Sequence, residues 1–130
     1  MTLFKDLLSA IDDFIPSKPM ILESLLETEL RTHLESKGKG FNISRQVTKK
    51  KDRYDLLCRK NNELVCIELK LRTNISDIKQ FDRYLPKFRD GLIVFCWQAT
   101  ASVREIFSNV TQQSPIPVTL IELSKKYSLA

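Results

Sequence analysis

At 130 residues, 42% of them hydrophobic, the chain is sized for one domain with one core, which argues against a second. The formal net charge of +5 suits a polyanionic partner, and it is unevenly spread: residues 1–36 carry three basic against seven acidic side chains, whereas residues 37–60 hold nine basic ones against Asp52 and Asp55. Cys58, Cys66 and Cys96 form no CxxC pair and no zinc-ligand spacing, and no apolar stretch suits a secretory signal or a membrane span, so the composition points to a reducing, cytoplasmic setting without a membrane partner.

Leu3, Phe4, Leu7, Leu8, Ile11 and Phe14 recur at helical spacing and predict an amphipathic helix within residues 1–16, terminated by Pro16 and Pro19. Its apolar face has the domain itself or a second subunit to pack on. Ile21, Leu22, Leu25, Leu26, Leu30 and Leu34 mark a longer helix that stops near Gly38 and Gly40. FNISRQV (41–47) alternates weakly, as a first strand would. RYDLLCR (53–59) and ELVCIELKL (63–71) flank Asn61-Asn62, residues that tolerate the positive φ of a tight turn, and so predict a β-hairpin. Ser76 is placed to cap a helix through Leu85, with Ile78, Phe81 and Leu85 inward and Pro86 closing it. GLIVFCW (91–97) is continuously apolar, as a central strand covered on both faces should be. Ser102 and Glu105 suggest a capping box ahead of Val103, Ile106, Phe107 and Val110, and PVTLIEL (117–123) supplies the last strand. The order α-β-β-β-α-β-α-β predicts a mixed α/β fold, with a mixed sheet of about five strands and helices on both faces.

The hairpin carries acids that a buried strand should avoid. With Asn61 and Asn62 as the two turn residues, cross-strand partners have numbers that add to 123. Asp55 then opposes Glu68, and Arg53 opposes Lys70, on one side of the sheet. Opposed like charges sit about 4.5–5.5 Å apart at Cβ and are destabilising unless something compensates them. Divalent cations between the carboxylates and a phosphate near the bases would do so. The bland alternative is a wet hairpin end with exposed ion pairs of little worth.

An acid on one strand and an acid-x-basic triplet on its neighbour, Asp55 and then Glu68-Leu69-Lys70, resembles the active-site signature of the PD-(D/E)XK, or restriction-endonuclease-like, nuclease superfamily. Three further features carry the resemblance. The element order is similar to that core; ETELRTHLESKGKGF (27–41) resembles the opening helix of archaeal Holliday-junction resolvases; and QFDRY (80–84) is similar to the Gln-hydrophobic-x-x-Tyr motif of RecB-like nuclease domains. The likeness covers roughly residues 20–100, with Tyr54 where the superfamily's name has Pro. It implies that Glu27 is the helix-borne acid of the metal site, although Glu23 shares its face and Glu29 falls within the apolar arc, so both stay open. A RecB-type iron–sulfur cluster needs four cysteines, and the chain has three. With His33 the single histidine, a histidine-based nuclease mechanism is improbable.

On this resemblance one nuclease-like domain spans residues 1–130, with 1–16 outside its core motif. Asp55, Glu68 and Glu27 hold Mg²⁺, or Mn²⁺ as a substitute, with the Leu69 carbonyl as a further oxygen ligand and Lys70 orienting the attacking water. Lys49, Lys50, Lys51 and Arg53, with Gln80, Arg83 and Tyr84 on the later helix, contact DNA. The expected activity is a Mg²⁺-dependent endonuclease, structure-specific in the manner of a resolvase-like homodimer. The alternatives are a RecB-like DNA-repair nuclease and a catalytically silent DNA-binding module of the same fold.

Overall fold

The computed structural model describes residues 2–19, 21–49, 52–71 and 88–129, with the backbone alone at 46–49, 52–54 and 127–129. Helices α1 (Leu3–Ile11) and α2 (Glu23–Ser36) precede the strands β1 (Asn42–Lys49), β2 (Asp52–Lys60) and β3 (Glu63–Leu69). After residues 72–87 come β4 (Leu92–Cys96), α3 (Ala101–Gln113), β5 (Val118–Glu122) and α4 (Leu123–Leu129). The sheet runs in the order β1-β2-β3-β4-β5, antiparallel through the first three strands and parallel through the last three. This is the expected mixed sheet. The expected helix with Ser76, Ile78, Phe81 and Leu85 lies outside the described residues.

The hairpin register follows from its turn. Asn61 and Asn62 have φ of 52° and 67°, so both occupy the left-handed region that a two-residue turn of matching twist demands. The strands then pair Lys60 with Glu63, Leu57 with Cys66 and Leu56 with Ile67. Because side chains alternate along a strand, the sheet has two apolar faces. Leu56, Cys58, Val65, Ile67, Leu69, Ile93 and Phe95 pack under α1 and α2, against Leu7, Ile11, Leu26, Leu30 and Leu34. Leu57, Cys66, Leu92, Val94 and Cys96 pack on the other face, against Phe88 and the α3 residues Val103 and Phe107. β4 is buried along its whole length because helices cover both its faces.

Several boundaries differ from the sequence pattern. α1 stops at Ile11, well short of Pro16. Lys126 of α4 donates to the carbonyls of Ile11 and Asp12, and Phe14 reaches the core without being helical. Thr100, not Ser102, caps α3: its Oγ1 accepts the Val103 N–H at 3.2 Å, and Ser102 and Glu105 lie inside the helix. With the helix already begun at Ala101, the Glu105 N–H that a Ser102 cap would accept lies inside the helix, so the capping box does not form. Leu22 and Leu25, at helical spacing with the core leucines, remain 73% and 39% exposed. α4 is too short for a periodicity signal. It is anchored by the Ser124 N–H on the Trp97 carbonyl and by buried Leu123.

α1 packs on the domain's own sheet, and Gly91 makes room for it. Gly91 has φ of 140°, and a Cβ there would lie 2.5 Å from Cδ2 of Phe4. Gly91→Ala is therefore expected to cost about 1–3 kcal/mol in urea unfolding, from backbone strain and overpacking together. The double variant Gly91→Ala/Phe4→Ala should cost less than the sum of the singles; strict additivity would show that the two groups do not collide.

Candidate active site

At the end of the hairpin away from its turn, the β2–β3 ladder stops at Leu56 and Ile67. Beyond that point β2 continues beside β1, through Tyr54–Val47 and Arg53–Thr48, while β3 continues beside β4, through Glu68–Val94 and Leu69–Phe95. Side chains then bridge the two strands. The Leu69 N–H donates to Asp55 Oδ2 at 2.8 Å, and the Asp55 N–H points to Glu68 Oε1 at 3.4 Å. The two carboxylates placed opposite each other by the register are thus brought together.

Their surroundings differ. Asp55 is half-buried, whereas Glu68 is 1% exposed. Burial, then the Asp55 charge and carboxyl–carboxyl hydrogen bonding, push the Glu68 carboxyl up to about 8, and the nearby Lys70 ammonium opposes this without overcoming it. The thiol of Cys66, 3.5 Å from Glu68 Oε1, is also pushed up, by burial and then by the Glu68 charge. Lys70 itself sits just past β3, its N–H on the Phe95 carbonyl.

Two other buried glutamates show what a compensated carboxylate looks like. Glu122 accepts from Arg104 at 2.7–3.1 Å, from Lys125 at 2.9 Å and from the Ala99 N–H at 3.0 Å. Burial raises it, but these donors win and hold it near 2. Glu27, 4% exposed on α2, is ion-paired with Arg45 of β1 at 2.8 Å. Neither partnership was visible in the sequence, where Arg45 counted only toward a basic block and Glu122 toward the end of a strand.

Glu27 and the carboxylate pair are set on different faces. Arg45 is paired with Leu56 and so shares its α1–α2 face, whereas Asp55 and Glu68 alternate with Leu56 and Ile67 and share the α3 face with Leu57 and Cys66. The competing acids have other tasks. Glu29 accepts from the Ser17 N–H and hydroxyl, which explains a glutamate in the apolar arc, and Glu23 accepts the Leu71 N–H at 3.1 Å. Lys50, Lys51, Gln80, Arg83 and Tyr84 lie outside the described residues. Lys49 and Arg53 are described by their backbone, which puts Arg53 two residues from Asp55 along β2, opposite Thr48.

Among the described residues no three His, Cys, Asp or Glu side chains gather as a metal cluster. Mg²⁺ does not require one, since it is commonly held by one or two carboxylates, with waters and substrate phosphate completing its shell. The donor set here is all oxygen: Asp55, Glu68 and the Leu69 carbonyl, which leaves the strand on the same edge as the N–H that meets Asp55. A divalent cation would replace the proton that Glu68 holds in its absence. The residues therefore fit a hard cation.

Residues 22–114 match the family model described as the endonuclease NucS C-terminal domain, a family of restriction-endonuclease-like fold. Neither the curated proteins nor the solved structures yield a match to the chain.

The raised Glu68 carboxyl sets a pH dependence. Its proton stabilises the metal-free fold fully below about pH 4.5, its ordinary value, and that stabilisation is lost as pH rises through about 8. Relative to Glu68→Gln, the protein in chelator should lose on the order of a few kcal/mol of unfolding free energy between about pH 5 and 8. Parallel curves for the two proteins would show that Glu68 is not raised.

Proposed function

Because the chain belongs to the family of endonuclease NucS C-terminal domains, we propose that it is a metal-dependent nuclease hydrolysing DNA phosphodiester bonds at the Asp55–Glu68 pair. The observation that carries this is the buried Glu68 set against a second carboxylate instead of a cation, at the point where the hairpin ladder ends. The same fold neutralises another buried glutamate, Glu122, with an arginine and a lysine. Leaving Glu68 against Asp55 costs stability, and such perturbed acids concentrate at functional sites.

When bound, Mg²⁺ or its substitute Mn²⁺ supplies Lewis-acid activation of water and neutralises charge on the scissile phosphate. Asp55 and Glu68 would hold it, with the Leu69 carbonyl as a further oxygen. The Leu69 N–H fixes Asp55 Oδ2 and so orients that carboxylate before substrate arrives. Lys70, close enough to act on the Glu68 charge, orients the attacking water and stabilises the developing phosphate charge. Glu27, paired with Arg45 on the other face of the sheet, is not a direct ligand and supports the site by tying β1 to α2. Lys49, Lys50, Lys51, Arg53, Gln80, Arg83 and Tyr84 contact the DNA. The finer assignment is a structure-specific endonuclease acting as a homodimer on branched DNA such as four-way junctions, within a single domain over residues 1–130. Among the described residues no helix is long and apolar enough to cross a membrane.

The test is incubation with four-way-junction, single-stranded and linear duplex DNA in Mg²⁺ or Mn²⁺. Asp55→Ala and Lys70→Ala should each lose at least about 10²-fold in cleavage rate, the scale for removing one preorganised electrostatic group, and Glu27→Gln should lose less than either. Absence of metal-dependent cleavage on every substrate would leave only a silent DNA-binding module. Equal cleavage of junction and linear duplex would remove structure specificity, and a monomer by gel filtration in the presence of junction DNA would remove the dimer.

A further inference from the structure

The end of the hairpin opposite the carboxylate pair holds a cavity of about 600 Å³, lined by Gly40, Asn42, Arg59, Lys60, Asn61 and Asn62. From this cavity we infer a second phosphate-binding subsite that anchors the substrate strand several nucleotides from the scissile bond, an inference that rests on the nuclease reading of the Asp55–Glu68 pair. Nothing in the mechanism above uses these residues.

The lining has the chemistry of an anion site. Arg59 is exposed and makes no hydrogen bond or ion pair among the described residues, and neither do the side-chain amides of Asn42, Asn61 and Asn62. Lys60 is only loosely engaged, 3.9 Å from Asp6 and 5.6 Å above the Phe41 ring. The one carboxylate in the lining, Glu63, has its Oε2 on the Leu3 N–H. Arg59 and Asn42, directly paired across β2 and β1, thus share one face beside the Asn61 and Asn62 amides of the turn, while Lys60 and Glu63 turn to the α1 side. Sugar-phosphate backbone is recognised by such guanidinium and amide donors without base readout.

Strand alternation connects this cavity to the active site. Arg59 and Asp55 are four residues apart on β2 and share the face of Leu57, so about 13 Å separates them at ~3.3 Å per residue. At 3.4 Å of rise per nucleotide along one strand of a duplex, that is about four nucleotides. Leu57 between them is fully buried, so the path runs beside β2 instead of across it. Edge strand β1 supplies the path: Asn42 pairs with Arg59 and Ser44 with Leu57, both partly or wholly exposed and both polar. A strand with its scissile phosphate at Asp55 and Glu68 would run along Asn42 and Ser44 and place a later phosphate at Arg59.

The test measures DNA binding without cleavage, in calcium, by fluorescence anisotropy of a two-turn duplex with the full chain. Between about 50 and 200 mM salt, Arg59→Ala should reduce the slope of log K against log salt by about 0.9, one phosphate contact, and weaken binding about tenfold at the low-salt end. Arg59→Lys should recover most of both losses, because a phosphate takes a point charge. The Arg59 effect should persist in an Asp55→Ala background. Unchanged affinity and slope in Arg59→Ala would overturn the subsite while leaving the nuclease reading standing. Arg59-dependent binding by a chain that cleaves nothing would keep the subsite and sink that reading, and no binding of DNA at all would overturn both.

Discussion

The candidate site of this fold depends on the register of one hairpin. Two adjacent asparagines with positive φ fix a two-residue turn, and the turn fixes which residue opposes which for the whole of β2 and β3. Since the side-chain period of a strand is two, a slip of one residue would send Asp55 and Glu68 to opposite faces and expose Leu56 or Leu57 in their place. The apolar residues and the acids therefore enforce each other. Leu56 and Leu57, both fully buried on opposite faces, hold the register that the acids by themselves would resist.

The acids gain their character where the ladder ends. β2 stays with β1 and β3 stays with β4, so beyond Leu56 and Ile67 the bridge between them is made by carboxylates accepting backbone N–H groups. Such bonds orient the carboxylates but remove little of their mutual repulsion. Comparison of the three buried glutamates makes this plain. Glu122 sits between a bidentate arginine, a lysine and an N–H, and Glu27 sits on Arg45; Glu68 faces Asp55, with Lys70 as partial relief. A fold that satisfies two glutamates and leaves the third raised marks that position as the candidate functional site.

On the proposed reading the two ends of the hairpin divide the work. The open end holds the hard oxygen donors, and the turn end, with Arg59 and the asparagine amides around its cavity, holds groups suited to phosphate. The rigid pairs between them set the distance, so positioning relies on the sheet and not on loops. The α1–α2 face keeps the sheet rigid from behind, with α1 tied to α4 through Lys126.

The sequence determined the five strands, the mixed sheet and the hairpin register, because hydrophobic period and turn chemistry are local properties written in consecutive residues. It also determined that Asp55 meets Glu68, since counting outward from Asn61-Asn62 requires no knowledge of the rest of the chain. The ends of α1 and α3 were decided elsewhere: Lys126 reaches Ile11 at the end of α1 from 115 residues away, and Thr100 starts α3 ahead of the Ser102 that a pattern search selects. So were the tasks of the α2 glutamates. Glu29 turned to Ser17, Glu23 to Leu71 and Glu27 to Arg45, all in one helix and indistinguishable by spacing. Burial and partners decide what a carboxylate does, and both are sums over atoms that only folding brings within reach.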